Sequence, residues 1–269
     1  MTCAVKTPYD RFDKLLLELL LSPLGDFVSQ AEIPDGETQY ADIRFVPDPA
    51  KDAPRRALGL LGMLTAEPCF LEPISRAPRA DDLAACVRKV MRAWHDEQRR
   101  AAREQGYVAR SWVLYVLAAG DPRKQHGPAG LRRLGAPWPR GVWTMPTLFR
   151  TRVVVLPQLP RTPDTLSLRM MGVGTTAAQA KEEFDAMPEG PLKDAIRLLV
   201  VQLHKARSTT AHAHEHEREN TFMDMAALDA WGARLERQLI EKGRQEGVAV
   251  GREEGELLAL VRMVELRLG

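Results

Sequence analysis

Two short stretches decide how this chain is read: Gln39-Tyr40-Ala41-Asp42-Ile43-Arg44-Phe45-Val46-Pro47 and Cys69-Phe70-Leu71-Glu72-Pro73-Ile74-Ser75. In the first, Tyr40, Asp42 and Arg44 alternate with Ala41, Ile43 and Phe45, the period-two pattern of a strand with one face in a core. The second is a short apolar run with a single carboxylate, Glu72, inside it. An ionised carboxylate is costly to bury without a partner or a metal, so Glu72 needs one. If the two strands are neighbours, Asp42 and Glu72 converge, and paired hard oxygen ligands suit Mg²⁺. The same spacing is met by an Asp42 that faces solvent and a Glu72 that caps or salt-bridges something local.

Working outward, Phe12, Leu15, Leu16, Leu19 and Leu20 recur at helical spacing and predict a helix docked on a core, ended by Ser22-Pro23-Leu24-Gly25. Phe27 to Ile33 alternates as a strand, and Pro34-Asp35-Gly36 turns it into the strand of Asp42. Between the two deciding stretches, Pro54 to Ala66 is predicted helical, with Leu58, Leu61 and Met63 inward despite Gly59 and Gly62. Beyond Glu72, Ala80 to Gln105 is the longest predicted helix, opened by Asp81 and Asp82, which suit the positive end of its dipole. Its apolar stripe is Leu83, Cys86, Val87, Val90, Met91 and Trp94, and its mixed arginine and acidic face reads as solvated. Ser111 to Ala119 is a buried strand, so strand, helix and strand predict a parallel crossover.

Arg123 to Gly141 is rich in Gly, Pro and Arg and predicts an irregular connection. Its Arg123, Lys124, Arg132, Arg133, Arg140 and Trp138 are either a solvated loop or a grip on a phosphate backbone with a ring to stack on a base. Val142 to Leu148 and Arg152 to Leu156 read as strands, and Leu166 to Gly172 and Thr176 to Lys205 as helices, the latter broken at Met187 to Pro191. His212, His214 and His216 alternate in a polar tract that is a linker, a helix start or a transition-metal site. Asn220 to Leu239 is amphipathic, and Gly243, Gly247, Gly251 and Gly255 then fall every fourth residue. Each such glycine costs a helix roughly 1 kcal/mol against alanine, so this tail is either frayed or paired with another helix through its glycine face.

The composition narrows the class. With 38 basic and 36 acidic side chains in 269 residues, the net field makes no case for a nucleic acid or an anionic membrane, although a local basic patch is compatible with it. Cys3, Cys69 and Cys86 leave an odd thiol with no paired metal-site spacing, which points away from a disulfide framework. Without a signal-peptide pattern or a run long enough to span a bilayer, the expectation is a cytoplasmic protein with no membrane partner.

Several of these pieces together resemble one family. They are Tyr9-Asp10-Arg11-Phe12-Asp13-Lys14-Leu15-Leu16, Ala41-Asp42-Ile43, Leu71-Glu72-Pro73 and the glycine-spaced tail, in the order helix, hairpin, Asp strand, Glu strand, long helix, strand. They look like the recombination-promoting nuclease or transposase-like branch of the PD-(D/E)XK superfamily. The resemblance implies an α/β fold, a restriction-endonuclease-like mixed sheet flanked by helices with a C-terminal helical tail. The resemblance covers most of Thr7 to Ala119 and the last thirty or so residues; with the patterns above, the chain divides into a core over 1–160, a helical extension over 161–240 and a glycine-spaced tail over 241–269, which, where it is paired rather than frayed, is the candidate contact of a homo-oligomer. The resemblance also implies Mg²⁺-dependent hydrolysis of DNA, with Asp42 and Glu72 as metal ligands. The basic residue two positions after the Glu is replaced here by Ile74, and Lys89 or Arg88 of the long helix is the candidate to supply its ammonium or guanidinium; Lys89 is taken as the third catalytic residue. The competing expectation is a nuclease fold without catalysis, kept as a binding or self-assembly module.

Overall fold

A computed structural model of the chain describes residues 8–33, 39–122, 130–210, 230–238, 240–241, 243–245 and 247. Helix α1 (Pro8–Leu21) is followed by strands β1 (Gly25–Ile33) and β2 (Gln39–Pro47), which form an antiparallel hairpin. Two short helices, α2 (Asp52–Arg56) and α3 (Leu60–Leu64), lead to β3 (Cys69–Ile74). The long α4 (Ala80–Arg103) then crosses to β4 (Val113–Ala118), which lies parallel to β3 as the strand, helix and strand order predicts. Three more strands follow, β5 (Arg132–Arg133), β6 (Val142–Thr144) and β7 (Thr151–Val155). Together they make one seven-stranded mixed sheet in the order β1-β2-β3-β4-β7-β6-β5.

Helices cover both faces of that sheet. On one side Leu83, Cys86, Val90 and Ala93 of α4 pack on Phe70, Leu114, Val116, Val153 and Val155. On the other, Phe12, Leu16 and Leu20 of α1 meet Ile43, Phe45, Leu71, Tyr115 and Val154. The same cluster takes in Leu168 of α5 (Leu166–Met170), Phe184 of α6 (Thr175–Asp185), Val200 of α7 (Pro191–Thr210) and Trp231 of α8 (230–238). The helical extension therefore shares the core of the sheet rather than hanging from it. Ala41, Ile43 and Phe45 are fully buried, but Ala41 packs with the α4 cluster while Ile43 and Phe45 pack with the α1 cluster, so the alternation read from β2 changes side across Asp42.

Two expectations are corrected. The single helix over Pro54 to Ala66 is split at Gly59, whose φ of 59° reverses the chain between α2 and α3. A Cβ there would stand 2.5 Å from the Asp164 Cα, so the turn needs glycine both for its left-handed backbone and for its clearance. Gly59→Ala is expected to lower stability by about 2 kcal/mol or more, read as a shift of the denaturant midpoint at unchanged slope. The second correction concerns α4: Trp94 is largely exposed, and Ala93 completes the stripe with Cys86 and Val90 at i, i+4, i+7.

Candidate functional site

β2 and β3 run antiparallel with Phe45 opposite Cys69, Arg44 opposite Phe70 and Ile43 opposite Leu71. One step further, the same register sets Asp42 against Glu72. There the backbone ladder stops, because the Asp42 N–H donates to Glu72 Oε1 at 3.3 Å. Pro73, which has no N–H to give a ladder, lies past the last β2 pair, and β3 continues unbroken beside β4 through Pro73 opposite Leu117. The two carboxylates of the deciding stretches therefore meet where two strands part.

Lys89 is positioned by α4. Asp82 starts that helix by accepting the Arg79 N–H at 2.7 Å while Arg76 holds both its oxygens at 2.6 and 2.9 Å. Two turns later the Lys89 Nζ donates to both oxygens of Glu72, each at 2.9 Å. Lys14 comes from α1, in the opposite helix layer, and its Nζ lies 2.7 Å from Asp42 Oδ1. Gln30 Nε2 donates to the same oxygen at 3.1 Å. Its backbone has φ 55°, uncommon for a residue with a Cβ, at the one step where the β1–β2 ladder skips a pair. Such strain costs on the order of 1 kcal/mol or more and clusters where side chains are aimed at a site.

The electrostatics follow from depth. Burial pushes the Glu72 carboxyl up, to about 7, against the pull of Lys89 and with a further push from Asp42. For Lys89, burial works against the ammonium, but the Glu72 carboxylate holds it above the usual lysine value. The difference lies in solvent: the Glu72 side chain is 4% exposed and that of Lys89 21%, so the carboxylate bears more of the desolvation. Among the described residues each of the two carboxylates thus has an ammonium against it.

The remaining predicted residues lie elsewhere. Arg88 is on the exposed side of α4 and does not enter the cluster. Arg132 and Arg133 are exposed in β5, four strand spacings from β3, or about 19 Å away. The Trp138 ring, read as part of a solvated loop or as a platform for a base, has the Arg152 guanidinium over it at 4.6 Å. Arg123, Lys124, the three histidines, Gly251 and Gly255 lie outside the described residues.

Two site residues were not picked out from the sequence: Lys14 and Gln30. Lys14 lies in the opening segment that carries the family resemblance, but nothing in its helical spacing distinguishes it from a solvated lysine. Gln30 falls on the polar face of an alternating strand.

Among the described residues no group of three or more His, Cys, Asp or Glu side chains converges, so the donor set is Asp42 and Glu72. Two carboxylates on adjoining strands fit Mg²⁺, which keeps several waters and binds through one or two carboxylates and substrate phosphate oxygens. Among the described residues no helix is long and apolar enough to cross a membrane. Comparison of the chain with family models, with curated proteins and with solved structures finds no match.

Proposed function

We propose that this chain is a nuclease of the PD-(D/E)XK kind, with a restriction-endonuclease-like core, that hydrolyses phosphodiester bonds of DNA with Mg²⁺ held by Asp42 and Glu72. One observation carries the reading: the Lys89 ammonium reaches both Glu72 oxygens from the helix that follows the Glu strand, supplying the cation that Ile74 cannot. The order of helix, hairpin, Asp strand, Glu strand, long helix and parallel strand supports it. Fold alone would support no activity, since one fold hosts many.

Mg²⁺ bound at these carboxylates would supply Lewis-acid stabilisation of the charge that develops on phosphate oxygens. The chain's own residues do the rest. Lys89 remains charged at neutral pH, so it orients the attacking water and stabilises negative charge rather than taking a proton. The water oxygen bonds to phosphorus, the bond from phosphorus to the sugar oxygen breaks, and the departing oxygen takes up a proton.

The second reading, a binding or assembly module without catalysis, draws on Ile74 and on the chain's near-zero net charge. An assay with supercoiled and linear DNA in Mg²⁺ or Mn²⁺ separates the two. Asp42→Ala is expected to lose cleavage by a factor of about 10³, equivalent to about 4 kcal/mol of transition-state stabilisation. Undiminished cleavage by that variant removes the metal-site reading, and no cleavage by the parent chain favours the module.

A further inference from the structure

Lys14 has no role in the reaction just described, yet it makes the shortest contact to Asp42 in the site, Nζ to Oδ1 at 2.7 Å, with its side chain 12% exposed. An ammonium held that closely against a carboxylate takes up the coordination space a cation would use at that oxygen. Glu72 is occupied in the same way by Lys89 at both oxygens. Both carboxylates are therefore already paired before any ion arrives, and a divalent cation added by itself would bring its two positive charges against two ammonium groups in a partly buried setting. Like charges at such distances repel strongly where the effective dielectric constant is far below that of water.

We infer that Lys14 is a built-in counter-ion that excludes the divalent cation from Asp42 until an anionic phosphodiester enters with it. This rests on the nuclease reading of the same two carboxylates and adds how the site is loaded. When ion and phosphodiester bind together, the Lys14 ammonium leaves Asp42 for a phosphate oxygen, and the phosphodiester charge offsets part of the ion's. Ion and nucleic acid then each raise the affinity for the other by the same factor, as linkage requires. The chain would neither gather metal when idle nor hold DNA tightly without it.

The test is Mn²⁺ binding by the full chain, measured by titration calorimetry without nucleic acid and with a saturating phosphorothioate duplex that resists cleavage. Asp42→Ala serves as the blank for sites elsewhere. The parent chain is expected to bind Mn²⁺ at least about tenfold more tightly with the duplex than without it. Lys14→Met should bind Mn²⁺ about tenfold more tightly than the parent when no duplex is present, and should lose most of the coupling. Lys14→Arg, which keeps the charge, should behave like the parent and separates loss of charge from loss of folding. If Lys14→Met binds the free ion no better than the parent while the parent binds it with duplex, the counter-ion role is overturned and the nuclease reading stands. If no variant and no condition gives binding above the Asp42→Ala blank, the two-carboxylate metal site fails and the counter-ion role with it.

Discussion

Lys89→Met will lower the stability of this protein by about 3 kcal/mol at pH 8, and adding Glu72→Gln will restore it. The first half follows from depth. Glu72 is almost fully buried, both its oxygens are taken by Lys89, and without that ammonium it keeps only the 3.3 Å bond from the Asp42 N–H and the repulsion of the Asp42 carboxylate. Breaking a buried pair by removing one partner is costly because the other charge stays behind. Glu72 has one escape, which is to take up a proton, and this makes the penalty depend on pH. Its folded-state value of about 7 already lies above the ordinary 4.5, so the folded chain holds this proton more readily than the unfolded chain. That contribution to stability is complete below about 4.5 and is lost as pH rises through 7. In Lys89→Met the downward pull is gone and the window extends to higher pH. The variant should therefore be close to the parent at pH 5 and far below it at pH 8, in urea unfolding followed by circular dichroism. The double variant carries no charge at this pair, so its profile should lose the Glu72 component and its stability at pH 8 should equal or exceed the parent's by about 1 to 4 kcal/mol. Equal stability of Lys89→Met at both pH values would mean that Lys89 does not hold Glu72 in a dry site.

That pair also shows what a sequence can and cannot display. The alternation in β2 and the single carboxylate in β3 were both visible because they are local patterns, and the register that sets Asp42 against Glu72 turned them into a site. Lys89 was reached only through a resemblance that places a cation on the following helix. Its own spacing is that of any solvated lysine. Lys14 and Gln30 were hidden for a different reason. Their roles arise where a helix from the opposite layer and a backbone with positive φ meet a gap in the sheet, and no periodicity encodes a gap. The split between α2 and α3 was missed because Gly59 was read as a tolerated helix interior, whereas its clearance against Asp164, over a hundred residues away along the chain, requires the turn. Local chemistry was legible, and contacts between distant segments were not.

Cleavage at subsaturating Mg²⁺ should fall about fifty-fold between pH 7 and pH 5, a drop that belongs to Glu72. A carboxyl holds a hard cation only as the anion, and burial sets this one at about 7, so its ionised fraction falls close to tenfold per unit once pH is below that value. Lys89 cannot produce the same limb, because the carboxylate beside it keeps its ammonium above the usual 10.5 and charged throughout the range. Rate should therefore level off above about pH 7.5 rather than pass through a narrow maximum. Mn²⁺ affinity measured with the cleavage-resistant duplex should bend at the same pH, because the loss is one of ion binding and not of DNA contact. A rate flat from pH 5 to 7.5 would place the ion away from Glu72. A bend in the rate without one in the affinity would move the titrating group from the metal ligand to the water-activating step, and the assignment of Lys89 as a permanent cation would have to give way.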